Sequence, residues 1–135
     1  TSGDITGVRF NVCKNWNGAG IDYAGNAGNK GAGCHHHFGA ESDPNACQIF
    51  IVNNAARTPI TTKSAEGTPW TTGWHEVRVV RRVDDGTIEV FFDDMDEPLM
   101  AAKDKTFTWG QVGLGTFDDN GNWDDFELCG VEVKK

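Results

Sequence analysis

Three features of the 135-residue sequence mark it as an all-β chain, a two-sheet antiparallel β-sandwich. Its 17 glycines, with Asn, Asp and Thr beside them, crowd between short apolar runs. Those runs alternate apolar with polar residues, the two-residue period of a half-buried strand. No window of eleven or more residues holds the 3.6-residue period of an amphipathic helix. About ten short strands, with turns roughly every eight to twelve residues, suit a sandwich or a barrel. At this length one domain over residues 1–135 is expected.

Ile5 to Cys13 is the first strand, because Val8, Phe10 and Val12 alternate with Arg9 and Asn11 and so bury one face. From Asn15 to Gly33 the chain is rich in Gly, Asn and Ala around an isolated Ile21 and Tyr23, which favours turns and exposed irregular backbone. Gly33 to Gly39 carries three consecutive histidines, Ser42 to Asn45 reads as a turn, and the apolar run Cys47 to Val52 reads as a central strand. Ala56 to Thr62 supplies a short partner strand, and Lys63 to Gly73 a loop. A β-hairpin follows. Trp74 to Val83 runs out, Asp84-Asp85-Gly86 tolerates positive φ, and Thr87 to Asp93 returns with Ile88, Val90 and Phe92 on one face. Met95 to Lys103, after an acidic turn, then Gln111 to Phe117 and Trp123 to Val133 complete the strands; Pro98 fits an edge or a strand start.

Twelve basic and twenty acidic residues leave a net charge of −8 with neutral His. Duplex nucleic acid is a poor partner for such a chain, since phosphate binding draws on clustered Lys and Arg, and anionic lipid is disfavoured for the same reason. No apolar run approaches the roughly 20 residues that span a bilayer. The four cysteines, Cys13, Cys34, Cys47 and Cys129, contain no C-x-x-C pair. Two disulfides imply a secreted or periplasmic protein, and four buried thiols a cytosolic one. Among the three connectivities, Cys34 with Cys47 closes a short loop and Cys13 with Cys129 ties the ends together. That pair is the favoured one. The start at Thr1 fits a processed chain or a piece of a longer one.

The C-terminal half carries a recognisable pattern. Trp74-His75-Glu76-Val77-Arg78-Val79, then Gly86 through Asp93, then Pro98, Gly110-Gln111-Val112-Gly113-Leu114 and Trp123-Asp124-Asp125-Phe126 follow one another in order. This resembles the strand sequence of the concanavalin A-like lectin/glucanase jelly rolls, including laminin-G-like modules, carbohydrate-binding modules and the domain named for 3-keto-disaccharide hydrolase. The likeness covers about Trp70 to Val133, and fold follows from it better than function. Such jelly rolls begin with one or two further strands before Val8 to Cys13. The resemblance therefore implies that N-terminal strands are trimmed, come from a partner chain, or belong to a longer parent protein.

Glycan recognition asks for flat rings, which stack on the C–H faces of sugars, beside groups that hydrogen-bond hydroxyls. Trp16, Tyr23 and Trp70 lie in polar loops, and His35 and His37 share one face of a strand while His36 takes the other. These five residues are the expected carbohydrate site. Two same-face imidazoles fall short of a structural zinc set, which takes four ligands. Trp74, Trp109 and Trp123 open or flank strands and are assigned to packing. The run from Asp118 to Asp125 sets oxygen donors at Asp118, Asn120, Asp124 and Asp125, a set that suits calcium. In related jelly rolls one carboxylate of the Asp-Asp pair helps to hold a structural calcium, which the resemblance transfers to Asp124 or Asp125.

No glucanase motif Glu-x-Asp-x-x-Glu is present, and Glu89 with Asp93 offers only two same-face acids. Nucleophile elbows, zincin helices and phosphate loops are missing as well. The leading expectation is non-catalytic binding of a polysaccharide or oligosaccharide by a secreted module. The alternatives are a hydrolase or lyase acting on a sugar derivative, with His35 and His37 in its chemistry, or a structural subunit completed by a partner chain.

Overall fold

The computed structural model describes residues 5–14, 19–25, 34–40, 43, 47–54, 56–63, 66–108, 110–115 and 121–130; at 5–14, 19–25, 34, 35, 40, 63, 110, 111, 115 and 121 it describes the backbone alone. Among these residues the strands in chain order are β1 (Ile5–Lys14), β2 (Ala19–Gly25), β3 (Cys34–Ala40), β4 (Ile49–Asn53), β5 (Thr58–Pro59), β6 (Thr61–Lys63), β7 (His75–Arg81), β8 (Thr87–Phe92), β9 (Met100–Lys103), β10 (Gly110–Gly115) and β11 (Gly121–Gly130). They form a six-stranded sheet in the order β11-β1-β7-β8-β9-β6 and a five-stranded sheet in the order β10-β2-β3-β4-β5. Every neighbouring pair is antiparallel.

The hairpin of β7 and β8 organises the larger sheet. Val77 lies opposite Phe92, Val79 opposite Val90 and Arg81 opposite Ile88, so the alternation of each strand turns one apolar row inward. Val77, Val79, Ile88, Val90, Phe92, Met100 and Ala102 meet Phe38 and Ile49 of the smaller sheet, with Cys47 just ahead of β4. Each Val, Ile, Phe or Met buried in this way contributes about 1.5–3 kcal/mol. The hairpin turn depends on Gly86 at φ 78°, where a Cβ would come within 3.1 Å of the Asp104 carbonyl oxygen. A larger residue there would be strained in backbone and crowded in side chain.

Several elements depart from the pattern read in the sequence. The stretch from Asn15 to Gly33, expected as irregular backbone, contains β2 between β10 and β3. Strand pairing on both sides holds a glycine- and alanine-rich segment extended where its own propensity would not. The single strand expected over Ala56 to Thr62 is divided: β5 pairs with β4 in one sheet and β6 with β9 in the other, so the chain crosses between layers near Ile60. Only Met100–Lys103 of the expected Met95 to Lys103 is strand. The apolar β4, by contrast, is an interior strand of the smaller sheet as expected, paired with β3 on one side and β5 on the other.

The favoured disulfide pairing is incompatible with the register. Cys13 lies opposite Asn122 and Cys129 opposite Gly7, six residues along β1, or about 20 Å at about 3.3 Å per residue. Cys34 lies opposite Asn53, whereas Cys47 sits two residues before Ile49, which lies opposite Phe38. That separation is again about 20 Å, against the roughly 4.4–6.8 Å between Cα atoms that a disulfide spans. The Cys47 sulfur instead rests 3.3 Å from Thr68 Oγ1 and 3.9 Å from Met100 Sδ in the core. Cys129 Sγ donates to Glu127 Oε1 at 3.3 Å.

Candidate functional site

Strand β7 begins and ends in buried polar side chains, and the two ends differ in what surrounds them. At its far end Arg81 is 2 % exposed. Its guanidinium donates to the carbonyls of Gly86 and Phe107, each at 2.9 Å, and to that of Asp104. A buried charge needs such partners, and here backbone oxygens of two turns supply them. His36 of β3 closes the cluster from the other sheet, with Nε2 2.8 Å from Asp104 Oδ2 and its ring edge-on to Phe107. Partial burial alone would raise the Asp104 pKa. The hydrogen bonds from His36 and from the Thr106 amide and hydroxyl outweigh it and hold the carboxyl below its ordinary value.

At the near end His75 is buried and hydrogen-bonded through Nδ1 to Asp93 Oδ2 (2.7 Å) and through Nε2 to the Thr71 carbonyl (2.8 Å). Its ring stacks on Phe92, and Trp70 stands edge-on to both, with centroids 5.3 Å from His75 and 4.9 Å from Phe92. The other Asp93 oxygen accepts the Glu76 amide at 2.9 Å, so one carboxylate pins the entry to β7. Gly73 at φ 104° turns the chain into the strand. With His75 facing inward, strand alternation sends Trp74 outward, where it is 55 % exposed.

Trp74 shares the outer face of β7 with Glu76 and Arg78. Glu76 lies opposite Asn11, and Asn11 opposite Asp124. The turn after β8 adds Asp93, Asp94, Asp96 and Glu97, all exposed. Asp94 Oδ1 accepts the amides of Asp96 (2.9 Å) and Glu97 (3.3 Å), which folds this acidic turn back on itself. Arg78 reaches over Phe91, 5.6 Å from its ring centroid. The result is an exposed indole set among carboxylates, able to stack on a flat apolar face and to accept hydrogen bonds from hydroxyls.

Of the residues expected to form a carbohydrate site, His37 and Trp70 have described side chains, and both are packed into the fold. Trp16 lies outside the described residues. Tyr23 lies opposite His36 and Val112, the row that alternates with the one in which Asp22 lies opposite His37. His35 lies opposite Ala24 and Val52, and its side chain is outside the description. His37 is 5 % exposed and packs near Phe50, itself buried under Arg57 at 4.7 Å. Trp70 is not a free loop ring but part of the His75 and Phe92 cluster. As the sequence indicated, His36 and His37 do take opposite faces. Trp74, assigned to packing, is exposed, as is Phe126 of β11 among the described residues; the inward period of Val77 and Val79, counted back to residue 75, places Trp74 outside.

Asp118 and Asn120 of the expected calcium loop lie outside the described residues. Asp124 and Asp125 are both exposed on β11, where Asp124 Oδ1 accepts the Asp125 amide at 2.9 Å. Asp125, at φ 53°, occupies a bulge in the β1–β11 pairing. Among the described residues no three His, Cys, Asp or Glu side chains gather as a metal site.

No protein-family model matches the chain, and no curated protein does. Among solved structures it is similar to the carbohydrate binding module CBM66 from Bacillus subtilis, at 18 % identity and a TM-score of 0.69, over 93 % of this chain and 75 % of that one. The fold is a jelly-roll β-sandwich. At this identity the likeness speaks for architecture, and the placement of side chains speaks for the site.

Proposed function

We propose that this chain is a carbohydrate-binding module that holds a polysaccharide or oligosaccharide without cleaving it. The observation that carries the proposal is the jelly-roll match to CBM66, a carbohydrate binding module, across nearly the whole chain. The exposed indole of Trp74 among carboxylates is the kind of surface such binding uses. Non-catalytic action is favoured by the placement of the two acids the sequence offered: Glu89 lies on β8, whereas Asp93 lies past its end at φ 60°, out of the strand alternation that would set both on one face. Asp93 is moreover engaged by His75 and the Glu76 amide.

Affinity electrophoresis through gels containing a broad panel of polysaccharides tests the reading. Retardation by at least one polymer, with no release of reducing ends, is the expected result. Free mobility in every gel removes the proposal. Calcium belongs to the same proposal, bound by Asp118, Asn120, Asp124 and Asp125 with backbone or water oxygens filling the six to eight positions the ion takes. Added calcium should raise the melting temperature and a chelator reverse the rise. A melting curve indifferent to both would take the ion out of the proposal.

A further inference from the structure

We propose that the outer-face patch centred on Trp74 is the sugar platform and that it takes uncharged glycans while rejecting uronate- or sulfate-bearing ones; this rests on the carbohydrate-binding reading above. The patch is built, since its ring is presented by a defined chain of causes. Gly73 at φ 104° sets the entry to β7, and His75 is locked inward by Asp93 and the Thr71 carbonyl. Asp93 also fixes the Glu76 amide, two residues along the same face. Trp74 is therefore held out by a rigid support rather than left on a loose loop, which lowers the entropy a bound sugar would have to offset.

The surrounding charge selects the occupant. The ionisable groups that flank Trp74 along β7 and in the turn after β8 are Glu76, Asp93, Asp94, Asp96 and Glu97, with Asp124 placed across β1 by the register. An ionised carboxylate accepts hydrogen bonds and donates none, so it matches sugar hydroxyls and has nothing to offer a uronate or a sulfate. Bonds from a hydroxyl to a charged acceptor are also among the stronger ones. The cations of this face are Arg78 on β7 and Arg9, which lies opposite it on β1 and opposite Glu127 of β11; both are on the side of Glu76 away from Trp74, and the Arg78 guanidinium lies over Phe91. The net charge of −8 adds long-range repulsion of polyanions at low salt.

Affinity electrophoresis of the full chain and its Trp74→Ala, Trp74→Tyr and Leu128→Ser variants provides the test. The gels hold neutral polymers (glucan, xylan, mannan, fructan), acidic ones (polygalacturonate, alginate, a sulfated galactan) or the cationic polymer chitosan, each at low and high salt. We expect retention on at least one neutral polymer, insensitive to salt, weakened more than tenfold by Trp74→Ala, partly kept by Trp74→Tyr and unchanged by Leu128→Ser. An unaltered melting temperature shows that Trp74→Ala is folded. Neutral-polymer retention that survives Trp74→Ala overturns the placement and leaves carbohydrate binding standing. Retention on acidic polymers, or on chitosan alone with loss at high salt, overturns the charge selection. Retention on none of the polymers removes the carbohydrate reading and this inference with it.

Discussion

The two ends of β7 solve one problem in opposite ways. Each buries a polar side chain, Arg81 at one end and His75 at the other, and each gives it hydrogen-bond partners. Around Arg81 the partners are backbone carbonyls of two turns, and His36 of the opposite sheet seals the cluster through Asp104. Around His75 the partner is Asp93, which lies at the surface, and the next residue back is the exposed Trp74. A closed network of this kind holds the sheets together and has little left to bind with. The open network holds a ring steady and leaves acceptors facing solvent, which is why the candidate site belongs to that end.

The largest effect that could break this contrast is at Arg81. Arg81→Met keeps much of the apolar stem and takes the guanidinium from three carbonyls, of which Gly86 keeps the Asp104 amide while Asp104 and Phe107 lose this donor, so a loss of about 3–5 kcal/mol is expected in denaturant unfolding. A loss no greater than that of a surface substitution would mean the far end is not a lock. At the near end Trp70→Ala should cost about 3 kcal/mol, toward the lower part of the range for a buried Trp because the ring is half-buried. The same variant should perturb the His75 ring resonances in NMR, since Trp70 stands edge-on to that imidazole.

Asp104 sharpens the comparison through pH. Its folded pKa is held below the ordinary value, so the unfolded chain binds the proton more readily and stability rises with pH across this group's titration. The contribution is present above the unfolded carboxyl pKa of about 3.9 and is lost as pH falls through the lower folded value. Asp104→Asn should therefore cost about 1.5 kcal/mol near neutrality, the worth of a charge-assisted hydrogen bond. The gap to the parent protein should close as the pH is taken below about 4. A gap constant from neutral to strongly acidic pH would show that the carboxylate charge contributes nothing to the lock.

Much of the fold was legible because Val77 and Val79 of β7 and Ile88, Val90 and Phe92 of β8 recur every second residue, which fixes the core row without any knowledge of the partner sheet; the burial of Val80 and Phe91 in the other row was not legible in that period. Strand β2 was not legible. Its extended form comes from β10 and β3 on either side, and a Gly- and Ala-rich segment with only Ile21 and Tyr23 to mark it carries no local sign of those neighbours. The histidine run was half legible. Alternation separated His36 from His37, while the burial of both depends on Asp104, Phe107 and Phe50, which lie far away in sequence or on another strand. Chain order also hid the cysteine distances, because the residues at the two ends of an antiparallel ladder stand farthest apart even when each lies on a paired strand.

The smallest predicted change in stability is the most discriminating. Trp74 and Trp70 lie four residues apart, yet one ring is largely in solvent and the other is wedged against His75 and Phe92. If exposure separates binding from support, Trp74→Ala should alter unfolding free energy by no more than about 0.5 kcal/mol, as expected for a surface position. Trp70→Ala should lower stability without directly removing the platform. A destabilisation by Trp74→Ala comparable with that of Trp70→Ala would place both rings in one structural cluster. The near end would then be a second lock, built like the far one from satisfied and enclosed groups, and the open surface assigned to it would have to be sought elsewhere on the sandwich.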